Sequence, residues 1–386
     1  MKRKQQTRVA RGSWLRAYGL FTGGVIGVGV FGLPAALVAA GLPVFSLYVV
    51  LVGALVWWIH RRFLTVVLAT PGRHRLPGYA HQYLGRPGYL VSAMANVLGL
   101  FGTLAAYLIA GGTFLHLLLA NVVSLPPLVA VGLYLLPGAV LLLWGIRALP
   151  TIELVILVLF LSVLGVLSLV AGEAFSFSRF PFGGEVSSAL LPYGVLLFSF
   201  WGVSLIPETA ELSGRSERRT RSVLTAGLLT SLVTYVLFAV TVAGITGAAT
   251  TEDALGGLRR VLGEGVIFFA LVFGLLTTFS SYLALGLTLV KTLMLDVAVP
   301  RFPAWVVTVF VPLAFVLLGA RSLLSVLAIT GAVFLGVEGL TVLAMRGILA
   351  RPAARSAWRP LTFQLLGAGA LLVLGVAGEL FRQIVS

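Results

Sequence analysis

Four small or hydroxyl residues recur at helical spacing in the segment FGLLTTFSSYLALG. Gly274, Thr277, Thr278 and Ser281 stand at i, i+3, i+4 and i+7, so they share one face of a helix. The stripe could offer hydroxyl oxygens to a cation beside a broken helix. It could equally be a packing face whose hydroxyls bond back to their own helix. The spacing alone leaves both interpretations open.

Three carboxylates lie at or within apolar stretches, where an ionisable group is a candidate for function. Glu208 and Glu211 lie at i, i+3 near the end of the sixth apolar stretch, and Glu338 lies deep in the tenth. The pair could form an inner gate with a basic side chain, for which the candidates are Arg11, Arg16 and Lys291. Alternatively, Glu211 could pair with Arg215 on a solvated helix end. Glu338 could relay protons or bond a neighbouring helix.

Motifs for enzymatic chemistry are missing from the sequence. The four histidines do not form a zinc-protease pattern, and His60 and His116 are expected to be interfacial or packing residues. Neither a nucleophile-elbow motif nor a phosphate-binding loop occurs. The chain has no cysteine, which excludes disulfides and thiolate metal sites. We therefore expect neither an enzyme nor an ATP-driven pump, and no cofactor other than a coupling ion.

Glycine and proline interrupt two of the apolar stretches. The first contains GGVIGVGVFGLP, which ends at Pro34, and the sixth contains LPYGVLLFSFWGVSLIPE. These residues weaken a helix and free backbone groups that lipid cannot satisfy. The first run alone fits close helix packing through small residues equally well. An interrupted segment at the corresponding place in both halves of a chain, however, indicates a transporter binding site.

Membrane-spanning helices must position these residues. The 386-residue chain is 59% hydrophobic and 10% charged, with a mean hydropathy of +1.07. Soluble domains are about 45–50% apolar and about 25% charged, so a soluble enzyme and a disordered chain are excluded. Eleven continuous apolar stretches are long enough to cross the bilayer as helices: residues 18–40, 43–59, 89–119, 127–144, 154–171, 189–207, 222–246, 266–290, 304–320, 322–345 and 361–378. Residues 76–84 could form a short interfacial helix or an ordinary loop.

The basic residues predict the orientation. With a cytoplasmic N-terminus, 22 of the 27 lysines and arginines fall on the cytoplasmic side, as the positive-inside rule requires. The net charge of +15 is thereby explained by topology, and nucleic acid is excluded as a partner. We expect a multi-pass protein of the cell (inner) membrane with an external C-terminus, surrounded by lipid. The sequence does not indicate an oligomeric state.

The spans divide into two halves of similar length. A basic N-terminus covers residues 1–16, spans one to five cover residues 17–171, spans six to ten cover residues 189–345, and an eleventh span covers residues 361–378. With five spans each, the two halves must have opposite topology, as in an inverted repeat. The interrupted spans are the first of each half.

Several of these segments resemble a known family in the right order. The motifs are GVGVFGLP in span one, GRHRLPGYAHQYLGRPGYL with FGTLAAYLIAGGTFL, LFSFWGVSLIPETAEL in span six, and TTFSSYLALG in span eight. They resemble the amino acid/auxin permease family of the amino acid–polyamine–organocation superfamily, and most closely its bacterial tryptophan/tyrosine-permease-like branch. The resemblance implies an all-α integral membrane protein with the LeuT-type five-plus-five inverted repeat, broken spans one and six, an eleventh span, and alternating access.

The resemblance also implies where ligands bind. The substrate carboxylate would meet the backbone amides near Gly27, Val28 and Gly29, and its amino group would meet carbonyls from Ser199 and Phe200 to Trp201 and Gly202. Tyr107 would contact the substrate from span three. A sodium site would use Gly23, Ile26, Gly274, Thr277 and Thr278. Proton-driven relatives can place a lysine on span five instead, and this span has none; its Glu153 suits a helix N-terminus.

The expected function is symport of a neutral, apolar or aromatic amino acid, driven by sodium or by protons. Phe198, Phe200 and Trp201 would supply apolar contacts, and spans one, three, six and eight carry no charge at mid-depth. One alternative is an amino acid sensor, or transceptor, with the same fold. The other is a permease coupled to protons through Glu208 or Glu338.

Overall fold

The computed structural model is built from helices. It describes residues 2–120, 122–145, 149–170, 172, 174–184, 188–262, 264–349 and 358–385, and no strand occurs within these ranges. The predicted first half ends at residue 171, outside them, and so do three of the basic positions used for orientation: Arg147, Arg351 and Arg355. The long helices are Lys2–Val25, Gly29–Ala40, Leu42–Ala69, Leu76–Leu119, Pro127–Trp144, Leu149–Val170, Leu191–Phe200, Glu217–Thr246, Glu264–Leu295, Arg301–Leu317, Gly336–Leu349 and Trp358–Val385.

Nine helical segments within the described ranges are long and apolar enough to cross a membrane, and a bent pair adds a tenth. The helix at the predicted ninth span, Arg301–Leu317, has 17 residues and is shorter than these. Large apolar side chains such as Val50 and Leu169 are exposed on the outer surface, as lipid-facing residues are. The chain is therefore a multi-pass membrane protein.

The first span is broken in the middle. Its two helices, which end at Val25 and begin again at Gly29, meet at an angle of 45°. Between them, the Gly27 N–H donates to the Val25 carbonyl, two residues back, instead of continuing the helical ladder. The glycine-rich run GGVIGVGVFG permits this break because glycine loses more conformational freedom in a helix than any other residue.

The sixth span also changes conformation at mid-membrane. The helix Leu191–Phe200 ends at Trp201, whose backbone is extended, and Gly202 precedes a short 3₁₀ turn. A second helix, Ile206–Leu212, completes the span, with Pro207 in its first turn, where a missing N–H costs little. The two broken spans pack against each other, so their interruptions face one region.

A short helix precedes the third span. The range Leu76–Leu119 consists of two helices separated by a break at Gly85, where φ is +65° and ψ is −160°. Residues 76–84, left open between an interfacial helix and a loop, form the first of these helices, so the helical alternative is the one observed. A residue with a side chain would be strained at this φ, which explains the glycine at the kink.

The tenth span contains a widened turn. It runs through Leu323–Ile329, a π-helical turn Thr330–Leu335, and Gly336–Leu349. At this turn Gly331 lies against the backbone carbonyl of Gly194 in span six, and a Cβ added at Gly194 would lie 2.5 Å from the Ala328 carbonyl oxygen. Spans six and ten therefore touch backbone to backbone.

Candidate functional site

A small closed cavity lies between the two breaks. Its volume is about 30 Å³, close to the share of one water molecule in the liquid. The breaks contribute Gly27 and Gly29 from span one and Trp201 and Gly202 from span six. Span three contributes Leu100, Thr103 and Tyr107, and span ten contributes Leu335 and Glu338.

The predicted substrate residues gather at this cavity. Gly27, Gly29, Tyr107, Trp201 and Gly202 line it, together with the predicted apolar contact Phe198. Val28, Ser199 and Phe200 are buried directly behind this lining. The Phe200 ring packs at 5.1 Å from the ring of Tyr235 and so belongs to the supporting layer.

Two glycines in span one allow very close packing at the break. A Cβ on Gly27 would collide with the Tyr107 hydroxyl, and a Cβ on Gly29 would collide with the Ser199 hydroxyl. The same added atom at Gly29 would lie 2.9 Å from the Cα of Ser199, so the obstacle there includes backbone. Any side chain at these two positions would therefore force spans one, three and six apart.

Side chains from two other spans satisfy backbone groups that the breaks release. The Tyr235 hydroxyl, in span seven, lies 2.7 Å from the carbonyl oxygens of both Val25 and Ser199 and can donate to either. His60 Nε2, in span two, accepts a hydrogen bond from the Gly202 N–H at 3.2 Å. His60 is buried, so it is neither interfacial nor only a packing residue. Its position after the apolar run VWWI was the available sequence signal.

Glu338 brings a carboxylate to the cavity from span ten. Its Oε1 accepts from the Asn96 amide at 2.6 Å, and its Oε2 accepts from the Trp201 indole N–H at 2.7 Å. We expected no charge at mid-depth in spans one, three, six and eight, and that expectation did not include the carboxylate from span ten. Of the two roles predicted for Glu338, bonding to neighbouring helices is the one observed.

The hydroxyl stripe on span eight divides into two groups. Thr278 donates to the carbonyl of Gly274, in its own helix, at 2.8 Å. Ser281 donates across to the carbonyl of Gly23 in span one at 3.2 Å. The Thr277 hydroxyl is buried and has no hydrogen-bond partner. Thr278 therefore shows the back-bonding expected of a packing face, while a cation role for the stripe stays a prediction.

Ile26 and Gly274, the remaining predicted sodium ligands, lie on either side of this contact. Ile26 is the first residue after the C-terminal end of the helix Lys2–Val25, and its N–H donates to the Thr22 carbonyl. Gly274 faces Phe114 of span three and Leu255. Glu153 and Ser280, which were not among the predicted ion ligands, meet beside Gly23: the Ser280 hydroxyl donates to Glu153 Oε2 at 3.4 Å.

Residues 10–255 match the family model described as "Transmembrane amino acid transporter protein". This match covers more than half of the chain. The chain belongs to the transmembrane amino acid transporter family. A search of curated protein sequences gave no match. Membership identifies the chain as a transport protein and not an enzyme, and it agrees with the family resemblance seen in the motifs.

Solved structures place this transporter in the LeuT-type fold. MhsT in complex with L-phenylalanine superposes with a TM-score of 0.70 at 15% identity, over 96% of this chain and 98% of that one. Mhp1, a nucleobase-cation-symport-1 family transporter in a closed conformation with bromovinylhydantoin bound, gives 0.61 at 14% identity, over 96% and 90%. The Eremococcus coleocola manganese transporter gives 0.59 at 13% identity, over 96% and 94%.

The transporter also has a larger vestibule, which lies at the end of the molecule where span one begins. Its volume is about 760 Å³, and it reaches from Leu20 and Pro150 to the later turns of span eight. Glu208 lines it and pairs with Arg75 at 2.6 Å and also with Lys291. Lys291 was a predicted gate partner, whereas Arg75, from the connection before span three, was not.

Glu211 pairs differently from the prediction. Glu211 lies 3.3 Å from Arg73, while Arg215 donates to the carbonyls of Val67 and Thr70. Arg75 is held in place through its backbone, because its N–H donates to the Asp296 carboxylate at 3.1 Å. Burial of Asp296 in the loop after span eight raises the pKa of this carboxyl.

Proposed function

We propose that this protein carries a neutral, apolar or aromatic amino acid across the cell (inner) membrane by alternating access, coupled to a cation. One observation carries the proposal: the closed cavity lies where the breaks of spans one and six face each other. Unwound segments of this kind expose amides and carbonyls at mid-membrane, and half-helix ends favour charged groups. A zwitterionic amino acid needs both.

The substrate would lie across the two breaks. Its carboxylate would bind the amides of Gly27, Val28 and Gly29, and its ammonium would bind carbonyls from Ser199 to Gly202. Phe198, Phe200 and Trp201 would enclose an apolar side chain, with Tyr107 on the opposite wall. The 30 Å³ cavity must expand to admit an amino acid, which agrees with a cycle of opening and closing. MhsT, which shares the fold, was solved with L-phenylalanine bound.

Sodium is the coupling ion that we propose. The region between spans one and eight offers oxygen atoms, which sodium requires, and the buried, unpartnered hydroxyl of Thr277 fits a ligand role. The expected set is Gly23, Ile26, Gly274, Thr277 and Thr278. Protons acting through Glu208 or Glu338 are the alternative, because both carboxylates line cavities.

We propose the inverted repeat as the framework for the cycle. Residues 17–171 and 189–345 would form the two halves, with residues 1–16 cytoplasmic and residues 361–378 as an additional span. The corresponding positions of the two breaks support this division. The vestibule would then open to the cytoplasm, and the ion pairs of Glu208 would form the inner gate.

Uptake into proteoliposomes tests the proposal. We expect labelled phenylalanine or leucine to accumulate under an inward sodium gradient, and lysine and glutamate to be excluded. A pH gradient without sodium distinguishes proton coupling. A variant with a side chain at Gly29 should be inactive, while Gly165→Ala, which has open space around its Cβ, should be active. Amino acid binding without net flux would instead indicate a sensor.

A further inference from the structure

We propose that Glu153 is an anionic ligand of the coupling sodium ion, in a site formed with Ser280, Ser281 and the Gly23 carbonyl. This inference rests on the proposed function and extends its sodium site. The sequence-based set placed the ligands of span eight one turn earlier and assigned span five no part. The geometry gives span five a carboxylate at the contact of spans one and eight.

The carboxyl group of Glu153 lies directly against the backbone of span one. Glu153 is 1% exposed and stands in the second turn of the helix Leu149–Val170. A Cβ added at Gly23 would lie 2.5 Å from Glu153 Oε2 and 2.9 Å from Glu153 Cβ. The lack of a side chain at Gly23 is therefore what admits the carboxylate to this position.

Two oxygen atoms in this region have no hydrogen-bond partner among the described residues. Glu153 Oε1 is buried without a hydrogen-bond partner, and so is the Thr277 hydroxyl. Ser280 and Ser281 follow Thr277 at i+3 and i+4, so the three hydroxyls share one helix face. Ser280 touches Glu153 and Ser281 touches the Gly23 carbonyl, which brings this face to the carboxylate.

Within the described ranges, no basic side chain pairs with Glu153. From span eight it meets a neutral serine hydroxyl, from span one the side-chain-free Gly23, and from span three it lies within electrostatic reach of the Tyr107 phenol. A buried carboxylate without a cation is costly in a membrane. A bound sodium ion would neutralise it and would use the two unpartnered oxygens.

The vestibule gives an ion a route to this position. Pro150, one turn before Glu153, lines it together with Leu20 of span one and Ala284 of span eight. The proposed site therefore lies just beyond the inner end of the vestibule, and a sodium ion released from it would leave on the side of Glu208 and Lys291.

Thermal unfolding of the purified protein in detergent tests this inference. We expect the melting midpoint of the wild type to rise with NaCl but not with equal concentrations of choline chloride or KCl. Glu153→Gln should lose this sodium-specific rise. Glu379→Gln is the matched control, because that buried carboxylate is already paired with Arg382 in span eleven. It should keep the full response.

Two further variants keep the test decisive if Glu153→Gln does not fold. Glu153→Asp retains the charge and should still respond, at a sodium concentration raised by about tenfold or more. The double variant Ser280→Ala with Ser281→Ala should weaken the response similarly. A sodium-specific rise that persists in Glu153→Gln, or a wild type indifferent to sodium, would overturn the assignment of Glu153.

A parallel measurement separates this inference from the proposed function. Phenylalanine is added in choline chloride alone, so that stabilisation by the amino acid is recorded without sodium. Stabilisation by phenylalanine with a flat sodium response would overturn the ligand role of Glu153 and leave amino acid transport standing. Stabilisation by sodium but by none of the twenty amino acids, tested with sodium present, would overturn the proposed function instead.

Discussion

The hydroxyl of Tyr235 lies 2.7 Å from the carbonyl oxygen of Ser199, at the end of the first half of span six. The same hydroxyl lies 2.7 Å from the carbonyl of Val25, where span one breaks. A single phenol from span seven thus supports both interruptions. The Val25 carbonyl also accepts the Gly27 N–H, so among the described residues it is the Ser199 carbonyl that depends on this phenol.

Tyr235→Phe should therefore destabilise the protein by about 1–2 kcal/mol, because it removes the hydrogen-bond donor of a buried carbonyl at the break of span six. The measurement is the melting midpoint in detergent. Tyr282→Phe is the matched control: Tyr282 is 1% exposed and its hydroxyl has no hydrogen-bond partner. It should melt at or slightly above the wild-type temperature. Equal losses in the two variants would contradict the role given to Tyr235.

The two close contacts of span one should respond differently to compensating changes. Gly27→Ala and Gly29→Ala should each abolish stabilisation by an amino acid. Tyr107→Phe removes the hydroxyl that Gly27→Ala would strike and should partly restore binding. Ser199→Ala should not rescue Gly29→Ala, because the backbone of Ser199 remains in the way. Thermal shift with phenylalanine measures both pairs, and equal rescue would refute the packing described.

The proposed inner gate should depend on its buried ion pair and not on its exposed one. Arg75→Gln removes a partner that is 9% exposed and should cost about 1–3 kcal/mol of stability. Arg73→Gln affects an arginine that is 82% exposed and should cost less than about 0.5 kcal/mol. Adding Glu208→Gln to Arg75→Gln should cause little further loss, because Glu208 then keeps only its pairing with the half-exposed Lys291. The melting midpoints of the wild type and of these three variants in detergent test this prediction.

Glu338 should tolerate an amide but not an aliphatic side chain. In Glu338→Gln the new amide can donate to Asn96 Oδ1, which is buried and unpartnered in the wild type, once the Asn96 amide rotates. The Trp201 indole keeps its acceptor. Glu338→Leu leaves the donors of Asn96 and Trp201 without acceptors and should cost about 2 kcal/mol or more. Equal melting midpoints of the two variants would show that the hydrogen bonds to Asn96 and Trp201 do not account for the stability that Glu338 contributes.

Reporter fusions test the predicted orientation. A reporter inserted after Gly214 should lie in the cytoplasm, and one fused after Ser386 should lie outside. The reason is the distribution of the 27 basic residues, because the eleven-span arrangement puts 22 of them on the same side of the membrane as the N-terminus. Reporters on the same side would exclude the eleven-span arrangement.

The breaks were predictable because their cause is local. Glycine runs and prolines weaken a helix wherever it packs, and the sequence shows them at Gly27 and Gly202 without any knowledge of neighbours. The family motifs implied substrate contacts beside these breaks, at Gly29 and Trp201, and also at Tyr107 in span three, which spacing alone would not have selected.

The missed residues depend on packing between distant segments. Arg75 meets Glu208 across 133 positions of sequence, and no periodicity connects them. His60 and Tyr235 lie in spans whose own sequences show no interruption. On span eight, the sequence shows that the small and hydroxyl residues share one helix face. The rotation of that helix, which brings Ser281 to Gly23, is decided by packing against the neighbouring helices.

The backbone contact between Gly194 and Gly331 has a mechanical consequence. Side chains usually separate two packed helices and can change rotamer to let them slide, but here no side chain lies between them. Displacement of either helix relative to the other would drive a carbonyl into a neighbouring main chain. The first half of span six and the widened turn of span ten must therefore move together as one rigid unit. Glu338 then moves with the Trp201 indole, to which it is hydrogen-bonded.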